Sequence, residues 1–378
     1  MQHTPEEFCP HLKICSGCHF GELPYHEQSL QKKEYLLETF KIFHLAIPAI
    51  DFISIGENYL RTRLDVTIDS GLCGLYGFDK KIIDMKVCFQ ITEDLQKAYD
   101  DFRKVKIPIQ KGSVRLRVGP QGMRGLWLDF ANLDIQKLLL EKTTLQELLG
   151  FGFEIEIGQK GKSLAFRNNE FKLVDPCPQD WFQVQLLSKS RPLKSLISSF
   201  TQPSWISSQR ISALIQSWMS SQSSEPLSIA EFGSGIGPFT LPLLAENHIV
   251  SVFESNSQAV EILILNASEN NLNKNLQIFC DDFHKKPIPS GENFDIALVN
   301  PPRSGLKDFV HELIKLEVTT CIYISCFPES LALDLQHLTN SGYQIKEIVI
   351  VDQFPQTKHF ETCVLLQRID FNSGNITS

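Results

Sequence analysis

A thiol and a carboxylate stand out as a pair of groups that could do covalent chemistry. Cys326 ends the strand-like run 320–326, and Glu361 closes the segment 354–361. A residue at the carboxyl end of a buried strand faces the crevice where open α/β sheets bind their ligands. If the fold returns the carboxylate to that crevice, the two groups supply a nucleophile and a base. A glycine-rich turn at 231–237 could hold a nucleoside cofactor beside them, and the combination suggests covalent methyl transfer.

The glycine-rich turn has the spacing Gly-x-Gly-x-Gly and includes Gly233 and Gly235. Glycine is needed there because the chain turns sharply and its backbone amides must approach a ligand closely. Glu254 ends the next strand-like run, where a carboxylate accepts hydrogen bonds from ribose hydroxyls. Asp281 ends the third run and is a candidate partner for an adenine amino group. This pattern predicts a nucleoside site, but alone it fits a dinucleotide as well as S-adenosylmethionine.

The segment Asn300-Pro301-Pro302-Arg303 favours S-adenosylmethionine. It ends the fourth strand-like run, where many Rossmann-like methyltransferases place an Asn/Asp-Pro-Pro-x loop near the methyl donor and the target. In the enzymes that methylate amino groups the fourth residue is usually aromatic and stacks on the base, whereas here it is Arg303. RNA cytosine methyltransferases carry a cysteine in this loop, and this sequence has none there.

Carbon 5 of uracil is a target that would require both a thiol and a base. That carbon is a poor nucleophile, but adding a thiolate to carbon 6 makes an enolate whose carbon 5 can attack a methyl sulfonium. After the transfer, a base must remove the carbon-5 proton so that the thiol can leave. The chemistry therefore needs a cysteine, a carboxylate and a sulfonium donor in one crevice.

At these residues the sequence resembles the RNA uracil-5-methyltransferase family. The family's Ser-Cys-Asn-Pro motif is matched by residues 325–328, and its Phe-Pro-His-Thr-x-His-x-Glu motif by residues 354–361. The resemblance implies that Cys326 is the nucleophile and Glu361 the base. It implies methylation, dependent on S-adenosylmethionine, of carbon 5 of a specific uridine in structured RNA, either 23S ribosomal or transfer RNA.

The resemblance also implies contacts to the methyl donor. Asn300 and Glu254 match donor contacts of the family. Gln183 lies in a Trp-Phe-Gln-Val segment that is similar to the family's Phe-x-Gln-Val/Thr-Asn segment, whose glutamine touches the donor. The sequence departs from the family pattern, without losing a reacting group, at Trp181, Gly233, Ser234, Phe327 and Gln356.

Four cysteines form a possible metal site near the N-terminus. Cys9, Cys15 and Cys18 have the spacing Cys-x5-Cys-x2-Cys, and Cys88 could provide a fourth thiolate. Four thiolates suit zinc or an iron–sulfur cluster, and the spacing does not decide between them. The family resembled includes members with this spacing that hold a [4Fe–4S] cluster. The sequence resembles its shorter members, which lack an N-terminal oligonucleotide-binding barrel.

The composition is that of a globular protein whose charge is unevenly distributed. The 378 residues carry a net charge of −8, which argues against a simple nucleic-acid coat protein. Residues 103–124 contain seven basic and no acidic residues, which could face phosphates or form a solvated edge. No apolar stretch suits a transmembrane helix or a signal peptide, so we expect a cytoplasmic protein, binding no membrane and monomeric.

The elements that must position these residues follow two patterns. After Pro226, β/α alternation predicts a Rossmann-like methyltransferase fold, with a mostly parallel seven-stranded α/β sheet. Before it, the sequence reads as β-rich with a few helices. We therefore predict a cysteine-cluster region at 1–90, a β-rich RNA-binding domain at 91–180 and a catalytic domain at 181–378.

Two other functions remain open on the sequence. The same fold could methylate an exocyclic amine or a different substrate, in which case activity would not depend on Cys326. Alternatively, the chain could be a non-catalytic RNA-binding iron–sulfur protein with a decayed methyltransferase domain. The intact Cys326, Glu361 and Asn300 argue against decay.

Overall fold

The computed structural model describes residues 9–369 except 284, 286–287 and 289–291. The outer ends of the predicted regions, 1–8 and 370–378, lie outside the described residues. The strands, numbered in chain order, are β1 (Ile50–Ser54), β2 (Arg63–Asp69), β3 (Leu72–Gly74), β4 (Lys111–Val118), β5 (Arg124–Phe130), β6 (Phe153–Ile157), β7 (Lys162–Arg167), β8 (Glu170–Val174), β9 (Gln179–Leu186), β10 (Lys189–Ser195), β11 (Ser228–Phe232), β12 (Ile249–Phe253), β13 (Leu276–Phe279), β14 (Ile296–Val299), β15 (Thr320–Ser325), β16 (Tyr343–Asp352) and β17 (Glu361–Arg368).

The helices, also numbered in chain order, lie around these strands. They are α1 (Tyr25–Ile42), α2 (Glu93–Lys104), α3 (Asn132–Leu140), α4 (Lys142–Gly150), α5 (Trp205–Gln222), α6 (Thr240–Ala245), α7 (Ser257–Glu269), α8 (Phe309–Lys315) and α9 (Pro328–Asn340). None of the helices in the described part is both long and apolar enough to cross a bilayer.

The larger sheet has the strand order β1-β16-β17-β15-β14-β11-β12-β13. Strands β11 to β15 are parallel to one another, whereas β17 is antiparallel to both β15 and β16. All six residues of β15 are buried, as is typical of a strand covered on both faces. The α/β methyltransferase architecture expected from the β/α alternation is confirmed, in a mixed sheet.

The prediction of seven strands in this sheet is wrong, because an eighth strand comes from the N-terminal part of the chain. Strand β1 pairs in parallel with β16, from Ile50 opposite Ile348 to Ser54 opposite Asp352. The pairing joins residues almost 300 positions apart, so no local β/α pattern announces it. Its consequence is that α1 and β1, which follow the cysteines, are built onto the catalytic sheet.

A second sheet fills the middle of the chain, with the order β3-β2-β4-β5-β6-β7-β8. Its core includes Leu95, Tyr99 and Phe102 from α2 and Val114 and Leu116 from β4. The basic stretch at 103–124 lies here and is largely paired: Arg103, Arg115 and Arg124 form ion pairs with Asp84, Asp65 and Asp101. Little of that stretch therefore remains as unpaired positive charge.

Candidate active site

A cavity of about 1050 Å³, called here the central cavity, lies between the larger sheet and the N-terminal half of the chain. It brings together residues predicted from five separate motifs: the cysteine spacing, the glycine turn, the Asn-Pro-Pro-Arg segment and the segments 325–328 and 354–361. The predicted site residues in its wall are Cys9, Cys15, Cys18, Cys88, Gly233, Gly235, Glu254, Asn300, Cys326 and Glu361. Groups as far apart in sequence as Cys9 and Glu361 therefore line one cavity.

The glycine turn after β11 forms one wall of the cavity. Gly233 has a φ of 83°, and a Cβ there would stand 2.5 Å from the carbonyl oxygen of Asn300. The amide of Gly235 donates a hydrogen bond of 2.9 Å to Glu254 Oε2. The turn therefore holds the loop at Asn300 and the carboxylate after β12 in fixed positions around the cavity.

The same wall fits a nucleoside methyl donor. Gly235 has a φ of 56°, and the space where its Cβ would lie is open within 4 Å. Ser234 is buried and lines the cavity, and its hydroxyl has no partner among the described residues. A carboxylate oxygen that accepts one backbone amide keeps lone pairs for further donors, such as the ribose hydroxyls. Glu254, Ser234 and the glycine amides are thus suited to hold S-adenosylmethionine.

Replacing Gly233 with alanine is expected to weaken binding of S-adenosylmethionine by about tenfold or more. An alanine there would be strained at the positive φ, and its methyl group would overlap the carbonyl oxygen of Asn300. Calorimetric titration with the donor measures this effect. The matched control is Gly122→Ala, which also has a positive φ (77°) but open space around it and no place in the cavity wall. Equal donor affinity in folded Gly233→Ala and Gly122→Ala would contradict the assignment of this turn.

Two predicted donor contacts do not lie in the cavity wall. Gln183 lies on β9, where its Oε1 accepts a hydrogen bond from Ser190 of the neighbouring strand. Asp281 follows β13, but the acidic residue of this segment that lies in the wall is Asp282. The role of Gln183 and Asp281 in donor binding therefore stays a prediction that this geometry does not support.

The wall contains a different glutamine, Gln202, which the sequence interpretation missed. It belongs to Phe200-Thr201-Gln202, which ends just before α5 and has a phenylalanine where the segment at Gln183 has Trp181. Ser204 caps that helix by accepting a hydrogen bond of 3.2 Å from the amide of Ile206. Both segments have an aromatic residue two positions before a glutamine, but only the segment at Gln202 directly precedes the helix that leads into β11.

Cys326 follows β15 directly and is partly buried in the cavity wall. Burial raises the pKa of its thiol, and the nearby Glu361 carboxylate raises it further. A hydrogen bond from Arg303 and the positive charge of that side chain act in the opposite direction and lower the pKa. The thiol is therefore close to both a carboxyl group and a guanidinium group.

Glu361 begins β17 and is buried. Burial raises the pKa of its carboxyl to about 8, while hydrogen bonding to Gln353 and the charge of Arg303 lower it. The Gln353 amide donates to Glu361 Oε1 at 2.5 Å and to Gln202 Oε1 at 3.0 Å, and it accepts from Ser207 at 2.9 Å. The carboxyl is thus fixed in orientation and poised to change charge near neutral pH.

Arg303 is the second functional residue that the sequence interpretation missed. Its charge acts on both Cys326 and Glu361, and it lines the cavity with them. In the sequence it served only to argue against amino methylation. An arginine between a thiol and a carboxyl stabilises the thiolate and any negative charge that forms on a bound substrate.

The turn that carries Glu361 is attached to α1 by buried polar contacts. Lys32 and Asp352 form a hydrogen-bonded ion pair of 2.7 Å, with both side chains fully buried. Gln28 accepts a hydrogen bond of 2.8 Å from the amide of Gln356, which has a φ of 65°. These contacts define the path of the chain between β16 and β17 and therefore the position of the carboxyl group.

The four N-terminal cysteines also come together at the cavity. The pKa of the Cys18 thiol is raised to about 12, mainly by burial and also by the neighbouring Cys88, Cys15 and Cys9. The Cys15 sulfur accepts a hydrogen bond of 3.4 Å from the backbone amide of Gly17. Within residues 9–369, as far as they are described, no group of three or more His, Cys, Asp or Glu side chains has metal-binding geometry.

Comparisons with known proteins identify RNA methyltransferases among the relatives of this chain. A family model described as tRNA (uracil-5-)-methyltransferase matches residues 290–369, and one described as methyltransferase small domain matches residues 207–318. An RNA methyltransferase of Bdellovibrio bacteriovorus is 41% identical over 371 residues, which cover 95% of each chain. The 23S rRNA (uracil(1939)-C(5))-methyltransferase RlmD of Vibrio parahaemolyticus is 27% identical over 96% of this chain and 82% of its own.

A solved structure shows the same fold over nearly the whole chain. It is the Pyrococcus abyssi tRNA (uracil-54, C5)-methyltransferase in complex with S-adenosyl-L-homocysteine. The two chains superpose with a TM-score of 0.68 over 93% of this chain and 86% of the other, at 21% sequence identity.

The fold and the cavity wall define an α/β methyltransferase that uses S-adenosylmethionine. The extent and identity of the sequence matches then give the family. The chain belongs to the RNA uracil-5-methyltransferase family and is an RNA (uracil-5-)-methyltransferase.

Proposed function

We propose that the protein methylates carbon 5 of one uridine in structured RNA through a covalent intermediate between Cys326 and the base. The observation that carries the proposal is that the thiol, the Glu361 carboxyl, Arg303 and the donor turn share one cavity. The thiol and the carboxyl also influence each other electrostatically. A thiol with an adjacent base and a cation is the arrangement that nucleophilic addition to an electron-poor ring requires.

The proposed reaction has three steps. The Cys326 sulfur, as thiolate, bonds to carbon 6 of the uracil, and the electron pair moves to the carbon 5–carbon 4–oxygen system. Carbon 5 then attacks the methyl group of the donor sulfonium, and the neutral thioether leaves. Finally Glu361 takes the proton from carbon 5, the double bond re-forms and the thiolate is released. Arg303 would stabilise the negative charge on the enolate oxygen that forms when the thiolate adds to carbon 6.

The names of the relatives favour ribosomal RNA as the substrate. RlmD proteins of several bacteria are 25–27% identical to this chain over nearly its whole length, and their names specify 23S rRNA. The direct test is to incubate the protein with labelled S-adenosylmethionine and either unmodified 23S rRNA or a pool of unmodified transfer RNA. We expect label in 5-methyluridine from the ribosomal RNA. Label in adenine or guanine instead would support an enzyme that methylates an exocyclic amine.

One loop at the rim of the cavity is suited to contact the RNA. Phe200 is 77% exposed, and the guanidinium of Arg63 lies 5.8 Å from its ring centroid. The buried Arg117 donates to the carbonyl of Leu196 at 2.7 Å and also to Thr201, so the loop is held from both sides. We expect an exposed, fixed aromatic ring beside an arginine to stack on a nucleotide of the substrate.

Activity is expected to rise with pH through the range where Glu361 ionises. Because burial raises its pKa to about 8, the carboxyl is mostly protonated at pH 7 and cannot accept the carbon-5 proton. The Cys326 thiolate fraction changes in the same direction, since its pKa is raised as well. We expect kcat at saturating RNA to increase about tenfold from pH 7 to pH 9. A kcat that is constant or falls over this interval would contradict Glu361 as the base.

We further propose that Cys9, Cys15, Cys18 and Cys88 hold a [4Fe–4S] cluster. The four thiols line one cavity, and burial, together with the nearby thiols, raises the pKa of Cys18 and of Cys88, as expected of closely spaced ligands before a cation binds. They do not have metal-binding geometry as described, so binding would have to draw them together. Because methyl transfer needs no electron, the cluster would supply only structural support or an RNA contact.

The cluster can be tested by composition rather than by activity. Anaerobic purification should yield a brown protein with about four iron and four sulfide per chain. Cys18→Ser should lose them, whereas Cys177→Ser, at an exposed position outside the cavity, should keep them. A colourless wild-type protein loaded with zinc would contradict the assignment.

The expectation of a monomer stays a prediction, which light scattering can test.

A further inference from the structure

The side chain of Gln90 lies in the wall of the central cavity without a partner. It is 5% exposed, and both its Nε2 and its Oε1 are buried with no hydrogen bond to any described residue. A buried polar atom without a partner destabilises a fold, so such atoms usually have a structural or a binding reason. The residue therefore keeps one unused donor and one unused acceptor beside the cavity.

The backbone around Gln90 is fixed by hydrogen bonds. Its carbonyl accepts from the amides of Leu60 and Arg61 at 3.1 and 2.9 Å. The amide of Thr92 in turn donates to the carbonyl of Arg61 at 2.9 Å, and Thr92 caps α2. The segments 59–62 and 88–92 are thus hydrogen-bonded to each other, and Gln90 lies in a rigid part of the wall.

A cation lies on the neighbouring segment. Arg61 lines the same cavity, and its Nε is buried without a partner in the described part of the chain. Its guanidinium lies 5.4 Å from the ring centroid of Phe354, the first residue of the turn that ends at Glu361. An arginine with an unpaired Nε on the segment next to an unpaired carboxamide matches a ligand that has a negative charge and a polar edge, as a nucleotide does.

We propose that Gln90 pairs with the edge of a nucleobase next to the target uridine, while Arg61 binds the phosphate that links the two nucleotides. This inference rests on the proposed function, because it takes the substrate to be RNA. A carboxamide can donate to and accept from one base edge at the same time. Since Cys326 and Glu361 must surround the target uracil, the base at Gln90 is a neighbour in the strand.

A metal cluster on the nearby thiols could also be the partner of the Gln90 side-chain amide. Such a cluster would pair with only one of the two unpaired atoms. Gln90 is two residues from Cys88, and its own backbone amide donates to that thiol. The sulfur atoms of a cluster only accept hydrogen bonds, so they could pair with Nε2 and would leave Oε1 unpaired. A base edge with a donor and an acceptor pairs with both atoms.

The test replaces Gln90 with methionine, which has a similar length and no hydrogen-bonding amide. The probe is a transcript of the 23S rRNA segment that contains the uridine methylated by the wild type, together with transcripts in which each flanking nucleotide is changed in turn. We expect KM for the parent RNA to rise about tenfold, because one bidentate base contact is lost. kcat, donor affinity and iron content should stay unchanged, and the melting temperature should be equal or higher.

The control is Gln216→Met on α5, where the amide donates to Glu246 outside the cavity, and its KM should match the wild type. The wild type should discriminate against a changed nucleotide at one flanking position, and Gln90→Met should lose that discrimination. An unchanged KM and unchanged discrimination in Gln90→Met would overturn the inference. So would a loss of iron with unchanged KM, which assigns the amide to the cluster. A wild type that methylates no RNA would instead contradict the proposed function.

Discussion

Replacing Cys326 with alanine is expected to abolish methylation, with turnover falling at least about 10⁴-fold, as happens when an enzyme loses its nucleophile. Without the sulfur there is no bond to carbon 6, and carbon 5 stays too weakly nucleophilic to attack the donor. RNA binding and donor binding should remain within about twofold of the wild type, because no charge or large side chain is removed from the wall. Methyl incorporation from labelled donor, with gel-shift and calorimetric binding measurements, separates these quantities.

The matched control is Cys321→Ala, in which a fully buried cysteine of β15 is changed just five positions earlier. That variant loses a sulfur from the core and should lose some stability, but turnover by the folded protein should stay close to that of the wild type. Retained turnover in Cys326→Ala would contradict the covalent mechanism. It would then favour an enzyme on the same fold that methylates an atom able to attack the donor directly.

Replacing Glu361 with glutamine is expected to trap the enzyme on its RNA. The amide cannot accept the carbon-5 proton, so the reaction should stop after methyl transfer with the Cys326–carbon 6 bond intact. We expect multiple turnover to fall about 10²- to 10⁴-fold, in the range that general bases contribute. A denaturing gel should show a protein–RNA adduct that contains the transferred methyl group.

The structure offers a control for the position of this carboxyl. Gln353→Leu removes the amide that fixes Glu361 but keeps the carboxyl itself. This variant should be slower than the wild type and yet release its product without accumulating an adduct. If Glu361→Gln and Gln353→Leu behave alike, or if neither forms an adduct on methylatable RNA, another group removes the proton.

The parts of the site that the sequence predicted are those defined by local patterns. A strand followed by a glycine turn, and a strand followed by Asn300 or by Cys326, place residues at one edge of a parallel sheet whatever the rest of the chain does. All of these residues are in the cavity wall, together with Glu361. Residue types, spacing and strand ends therefore locate these candidates, and the resemblance to a family supplies the roles proposed for Cys326 and Glu361.

The parts that could not be predicted depend on pairing between distant segments. Strand β1 joins the sheet beside β16, and Lys32 meets Asp352 across 320 positions. Neither side of such a contact has a pattern of its own, because a buried lysine looks like any lysine of an amphipathic helix. Gln183 and Gln202 each follow an aromatic residue two positions earlier, and only the three-dimensional fold distinguishes the two segments.

The central claim is that the methyl group replaces the hydrogen on carbon 5 of a uridine. Its most direct test uses 23S rRNA transcribed with uridine that carries tritium at carbon 5, incubated with the protein and S-adenosylmethionine. We predict that tritium is released to water in a one-to-one ratio with the methyl groups incorporated, and that Cys326→Ala releases none. Methyl incorporation without tritium release would place the methyl group on another atom and contradict the proposed reaction.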